Sequence, residues 1–220
     1  DRKTFPRLLA MSEVLWTYRK EKFEDFQNRV EDHYPILNQL DVHYGIESSP
    51  VRLSSKINNR KINTVVNSKI KNLEFTYQWD NKEAKPIKKN EEIEIDKSGK
   101  LTIQAYKNGK KYGVKKIEKF AVHLALNSNI DYQYMYSLSY PAEGLSSLTN
   151  GRLGSLDFKD GQWQGFSGKN LDVIISLDSL TSVNKVSMNF YQYINSWIVA
   201  PNCISIMSSK DSLNWEIIKS

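Results

Sequence analysis

Apolar and polar positions along this chain change rhythm once. Over residues 4–46 the apolar residues recur at helical spacing, and from residue 51 they alternate every second residue. "FPRLLAMSEVLWT" (5–17) places Leu8, Leu9, Met11, Leu15 and Trp16 around most of a helical turn. A helix this apolar needs neighbours on most sides. Pro6 suits its first turn, where a missing N–H costs nothing. "EKFEDFQNRVEDHYPILNQL" (21–40) has Phe23, Phe26 and Val30 at helical spacing with charges between. Pro35 interrupts it and predicts a kink or two segments. "HYGIESSP" (43–50), with Gly45, its serines and Pro50, reads as the exit from the helical region.

Downstream, "LEFTYQW" (73–79), "EEIEI" (91–95) and "KLTIQAY" (100–106) predict strands, with turn signals in "DKSG" (96–99) and "KNGK" (107–110). "KIEKFAV" (116–122) would close a small antiparallel sandwich. A second β unit begins near residue 130, with strands in "LDVIISLDSL" (171–180), "VNKVSMNFYQY" (183–193) and "CISIMSSKD" (203–211). The stretches "DVIISL" and "KVSMNFY" are expected in the interior of that unit, facing a second sheet. Residues 150–170 form a long loop rich in Gly and Asp. No repeat of 20–50 residues is present, which excludes a solenoid.

Composition narrows the function classes. The chain has 220 residues, 40% of them hydrophobic, enough for one large domain or two small ones with packed cores. No apolar run approaches the ~20 residues of a membrane span. Asp1-Arg2-Lys3-Thr4 lacks the basic-then-apolar start of a signal peptide. The lone Cys203, beside Ile204 and Ile206, reads as a core residue. His33, His43 and His123 are scattered and form no zinc motif. The net charge is +6, and the lysines concentrate in 85–90 and 107–116. Base-stacking aromatics are not interleaved with them, so they read as solvated hairpin edges and not as a nucleic-acid surface.

Pro6, Arg7, Glu13 and Trp16, followed by "FEDFQNRVEDHYPILNQLDVHYGI", resemble the last helices of the catalytic barrel in glycoside hydrolase family 20, the exo-β-N-acetylhexosaminidases. "FTYQWDNKEAKPIKKNEEIEIDKSGKLTIQAYKNGKKYG" is similar to the immunoglobulin-like module that follows that barrel in many bacterial members. Its turn is "WDNKEAKP", where the family usually has Asp-Gly. "YPAEGLSSLTNGRLGSLDFKDGQWQGFSGKNLDVIISLDSL", with "NSWIVAPNCISIMSSKDSLNW", resembles a discoidin-type (F5/8 type C, galactose-binding-like) module. The resemblance implies a mainly β chain with a helical start. Residues 1–46 would be the terminal helices of a (β/α)8 barrel, 47–129 an immunoglobulin-like sandwich, and 130–220 a partial discoidin-like sandwich. It also implies a fragment cut at both ends, with the rest of the barrel upstream, from a secreted, periplasmic or cell-surface bacterial enzyme.

The family's substrate supplies its own acetamido nucleophile, assisted by an adjacent Asp-Glu pair. The resemblance places that pair upstream of Asp1. Glu24-Asp25 and Glu31-Asp32 are adjacent acids too, but on a helix, where they read as solvated charges. The chain alone is therefore expected to be inactive, although its parent is a glycosidase. Arg7 and Glu13 read as structural residues pairing with neighbouring barrel segments, and Trp16 as core against the barrel wall. In the discoidin-like segment Trp163, Phe166 and Trp197 are candidate sugar platforms, although in the family pattern these aromatics more often brace the sandwich core. Asn150, Asp157 and Asp160 are candidate ligands of a structural calcium, as the related loop is in many such modules; a hydrogen-bonded turn is the alternative. No other cofactor is expected. The expected partners are glycans ending in N-acetylhexosamine. The rival reading is a stand-alone carbohydrate-binding or adhesion module whose helical start caps a sandwich.

Overall fold

The computed structural model describes residues 4–17, 22–45, 50–58 and 60–219. The described chain is mainly β, with two helices, and its contacts divide it into two units. One comprises Asp1–Lys56, Asn63–Ile95 and Gly99–Ile117, the other Ile57–Ile62, Asp96–Ser98 and Glu118–Ser220.

The first unit starts with α1 (Arg7–Thr17) and α2 (Phe23–Gln39). Leu, Ala, Met and Glu favour the helix in α1, yet no residue of it is buried. Glu13 does find a partner within the chain: its carboxylate accepts from Arg29 of α2, Nε at 3.0 Å and Nη2 at 2.5 Å. The helix α2 runs through Pro35 as one helix, so of the two expected outcomes the division into separate segments does not occur. Pro35 lies on the exposed side, while Val30 and Leu37 are buried. A lost hydrogen bond is cheapest on a solvent-facing side, where helices already lengthen their bonds. The end of α2 is fixed by Asp41 at φ +53°, with Val42 N–H donating to the Leu37 carbonyl at 2.9 Å. That is a Schellman cap with Asp in place of the usual Gly.

The strands follow: β1 (Arg52–Asn58), β2 (Lys61–Asn67), β3 (Glu74–Trp79), β4 (Lys85–Ile87), β5 (Glu92–Ile95), β6 (Gly99–Lys107) and β7 (Lys110–Phe120). One sheet has the order β1-β2-β5 and the other β4-β3-β6-β7. In the latter, β3 lies antiparallel between its neighbours, with Phe75 opposite Ile87 on one side and Ala105 on the other. Both sheets alternate more and less buried residues, so each turns one face away from solvent. Val66, Phe75, Ile87, Ile95, Leu101 and Ile103 are buried. Buried Thr64 shares a 2.8 Å hydrogen bond with the Ser55 hydroxyl, so its polar atom is satisfied. Asn108 and Gly109 both have φ > 0 and close the β6–β7 hairpin, as a two-residue turn requires. Glu31 of α2 meets Lys107 at that hairpin, at 2.7 Å. Burial first, and then the Glu31 carboxylate, push the Tyr112 phenol well above its ordinary range. The lysines of 85–90 and 107–116 fall on the outer strand β4, the turn after it and the β6–β7 hairpin.

The second unit holds the far end of β7, then β8 (Asn129–Tyr132), β9 (Arg152–Leu153), β10 (Val173–Ser176), β11 (Ile206–Ser208) and β12 (Glu216–Lys219). Its pairings are short and antiparallel: β9 with Lys119 and Phe120 of β7, β10 with β8, and β11 with β12. Asp211 organises the β11–β12 turn. Its carboxylate accepts from the backbone N–H groups of Asn214 and Leu213 and from the Asn214 and Ser209 side chains. These bonds, led by that from Asn214 N–H, hold its pKa well below the ordinary carboxylate range.

Three expectations fail in this unit. "KVSMNFY" forms no strand and is exposed, apart from half-buried Tyr191. In "DVIISL" only Val173–Ser176 pair, and Ile174 and Ile175 remain exposed. Cys203 is exposed, not core. Val173–Ser176 belong to a ribbon only two strands wide, too narrow to build a buried interior by itself, and residues 185–191 and Cys203 belong to no strand.

What the second unit does bury includes a charge network. The side chains of Arg152 and Glu118 are 6% and 4% exposed. Arg152 donates through Nε and Nη2 to Glu118 Oε1 and through Nη1 to Glu143 Oε1. The adjoining Gly151 has φ +71°, and a Cβ there would lie 2.7 Å from Ile62 Cδ1 and Leu126 Cδ1 and 2.8 Å from the Ala121 carbonyl oxygen.

Two outcomes are expected from denaturant titration. Arg152→Met should lower stability by roughly 3–5 kcal/mol, because it strands a buried carboxylate, and adding Glu118→Leu should recover part of that loss. A double variant no more stable than the single would remove the coupling. Gly151→Ala should cost about 2 kcal/mol or more through its φ and its backbone clash; a neutral effect would show that the turn can shift.

Candidate functional site

The loops of the second unit hold the residues singled out in the sequence. Trp163 is half-buried and its indole N–H donates to the Ser155 carbonyl at 2.9 Å. A Cβ at Gly154 would lie 2.3 Å from the Trp163 ring, so only glycine lets that ring rest on the backbone. Tyr191 lies 5.1 Å from the indole at an interplanar angle of 57°, and its hydroxyl donates to the Leu156 carbonyl at 2.6 Å. Phe158 continues the group, 6.0–6.2 Å from Tyr140, Tyr191 and Tyr193. Such tilted contacts are the favoured geometry of aromatic clusters. With its N–H and much of its surface engaged, Trp163 braces the loop.

Trp197 has the opposite situation. Tyr193 and Ile198 exchange two backbone hydrogen bonds, of 2.9 and 3.2 Å, and close a small loop. A single 3₁₀ turn, Ile194–Ser196, fills it, and Trp197 follows at φ +57°, ψ +27°. The left-handed region is unfavourable for a bulky residue. The indole is 94% exposed and has no ring partner among the described residues. Tyr193 belongs both to the aromatic cluster and to the base of this loop, so the cluster positions the loop that presents Trp197. Phe166 is half-buried. The structure thus gathers Trp163 with tyrosines and Phe158, and leaves Trp197 and Phe166 outside that group.

Asn150, Asp157 and Asp160 serve as turn acceptors. Asn150 is buried; its Oδ1 accepts Arg152 N–H at 2.9 Å and its Nδ2 donates to Glu143 at 2.9 Å. Asp157 accepts Lys159 N–H at 2.9 Å, and Asp160 accepts the N–H groups of Gln162 at 2.8 Å and Ser155 at 2.5 Å. Among the described residues no three His, Cys, Asp or Glu side chains gather around a point. A calcium ion needs six to eight oxygens, and here it would share these carboxylates with the backbone donors of the turns.

The remaining predicted residues lie in the first unit. Pro6 is buried and immediately precedes α1, and Arg7 is exposed. Trp16 is 85% exposed. Asp25 and Asp32 are exposed on α2, Glu31 is committed to Lys107, and the Glu24 side chain lies outside the described residues. A shallow groove of about 220 Å³ lies among Tyr77, Trp79, Ile87 and Glu91–Glu94. Alternation along β5 turns Ile93 and Ile95 inward, so Glu92 and Glu94 point to the other face. Among the described residues no helix is long and apolar enough to cross a membrane.

The sequence reading missed Tyr140, Phe158, Tyr191 and Tyr193 as a group, and Arg152 with both its glutamates. Gly154 and Asn150-Gly151 were the available signals, since glycine beside an aromatic loop marks a close approach. No protein-family model matches the chain, and no curated protein matches it significantly.

Proposed function

We propose that this chain is the C-terminal portion of an exo-acting β-N-acetylhexosaminidase of the family 20 type. Residues 1–46 would end its catalytic barrel, 47–129 form an immunoglobulin-like sandwich, and 130–220 part of a discoidin-like module. The parent enzyme would be secreted, periplasmic or on the cell surface, removing terminal N-acetylhexosamine from glycans. This portion would give structural support and weak glycan contacts. The observation that carries the reading is α1. Leu8, Met11, Val14, Leu15 and Trp16 are all exposed on a helix of eleven residues without a buried one. With only Leu9, Ala10 and Glu13 partly covered, most of the apolar surface of this helix is left to be covered, as that of the last helix of a barrel is.

The solvent-presented Trp197 favours glycan contact in this portion, whether as part of such an enzyme or as a stand-alone binding module. Pyranose rings offer apolar C–H faces, and an indole held away from its own core is available to meet one. A surface site of this kind buries little of its ligand, so affinity is weak.

Three measurements test the reading. The 220-residue chain should not turn over a chromogenic N-acetylglucosaminide, whereas a product extended through its upstream coding sequence should. An extended product of different architecture, or one with no activity, would overturn the enzyme assignment. Leu15→Glu with Trp16→Glu should reduce binding of an apolar dye severalfold while leaving the sandwich's denaturation midpoint within about 0.5 kcal/mol, as for exposed positions. An unchanged dye signal would show that α1 is not the apolar surface. Calorimetry with N-acetylglucosamine, galactose and their oligomers should register binding that Trp197→Ala removes; binding that survives the substitution would place the site elsewhere.

A further inference from the structure

Residues 182–192 combine two properties that rarely occur together. Their sequence, "SVNKVSMNFYQ", is that of a strand, with neither Pro nor Gly and with Lys185 as the one charge. Yet the segment is neither helical, turned nor paired. None of its residues has φ > 0, and none of its backbone N–H or C=O groups bonds to a described residue. Val186, Met188 and Phe190 share one side by alternation and are 57%, 42% and 38% exposed. The segment is anchored at its far end by Tyr191 against Trp163 and the Leu156 carbonyl. It is an unpaired segment anchored at one end, with its backbone groups open to a partner strand, which is a template for strand addition.

We infer that residues 185–191 pair antiparallel with the same residues of a second copy of this chain, centred on Met188. The self-complementarity of the stretch selects this occupant. In that register Met188 faces Met188, Val186 faces Phe190, and Ser187 faces Asn189, so apolar meets apolar and polar meets polar. Lys185 faces Tyr191, and the two lysines stand about six residues apart along the pair, roughly 20 Å, beyond the ~8–10 Å screening length. The parallel in-register arrangement would set Lys185 directly against Lys185, which is destabilising. Antiparallel pairing also supplies partners for the open backbone groups and needs no rearrangement of the anchored end.

The test uses the full 220-residue chain. Sedimentation velocity should show a monomer–dimer equilibrium, and amide exchange in 182–192 should slow by about tenfold as concentration rises through the transition, following mass action. With Cys203→Ser as background, Met188→Cys should form an interchain disulfide under mild oxidation, and Lys185→Cys should not. Val186→Lys with Phe190→Lys, which sets like charges opposite each other, should weaken the dimer at least tenfold without changing the denaturation midpoint of the first unit. A monomer at every concentration with unprotected amides would overturn the proposal. So would protection that does not depend on concentration, which would mean pairing within one chain, or equal cross-linking at 185 and 188, which would mean random encounter.

Discussion

The second unit depends on Arg152. Its buried apolar residues are few and dispersed: Ile62, Phe120, Leu126 and Ile130. The segments that must converge are far apart in sequence, since Glu118 lies near the end of β7 and Glu143 in the loop before β9. One guanidinium reaches both carboxylates, and Asn150 ties Glu143 back to the turn that carries Arg152. Glu118 Oε2 has no hydrogen-bond partner among the described residues, so the network is held by geometry on one oxygen. A buried arrangement of this kind contributes little net stability compared with an apolar replacement, but its loss is costly. It therefore specifies where the 140–152 segment docks on the end of β7. Everything built on that segment, including Gly151 against Ile62 and the loop leading to Trp163, inherits the placement.

The two units solve the same problem differently. In the first, alternation is completed: the odd-numbered residues of β6 from Leu101 to Ala105 are buried and the others are not. The helix α2 is tied to the β6–β7 hairpin by Glu31 and Lys107. In the second, turns carry much of the order. Asp157, Asp160 and Asp211 each bind backbone N–H groups nearby in sequence, which fixes a loop locally without requiring a core. The aromatic group around Phe158 then joins loops that share no strand. Such a unit has its stability spread over separate small contacts.

That contrast also explains what was legible in the sequence. The strands 74–79, 92–95 and 99–107 and their turns were readable because period, turn chemistry and partner all lie within a short stretch. Strands β1 and β2 were only implied by the change of period, and β4 is too short to show one. The helix α1 was readable because its residues are strong helix formers. Pro35 does not divide α2: a proline reports a lost hydrogen bond and not which side of the helix loses it, and here that side is exposed. Cys203 and "VNKVSMNFYQY" misled for a related reason. Period two reports the shape a segment takes against a sheet, and it cannot report whether the sheet is there. The Arg152 network was illegible because Glu118 and Arg152 are brought together by the pairing of β7 with β9, which only the fold creates.

Trp197 shows how strain and presentation combine. A left-handed tryptophan costs of order 1–3 kcal/mol, and glycine at the same place would cost nothing in backbone terms. The side chain recovers little of that through burial, since it is almost wholly exposed. The surrounding loop fixes the conformation: Trp197 N–H donates to the Ile194 carbonyl at 2.9 Å, and the two bonds between Tyr193 and Ile198 leave the backbone no other path. Folding alone gives no reason for a large aromatic at this point. Trp163, in the same unit, is held by Gly154, Tyr191 and Ser155, as a structural indole is. The two tryptophans therefore separate by environment: one spends its surface on the fold, while the other carries a conformational cost and is 94% exposed among the described residues. The proposed glycan-facing role for Trp197 would account for that asymmetry, and Tyr193 joins the loop that presents it to the aromatic cluster.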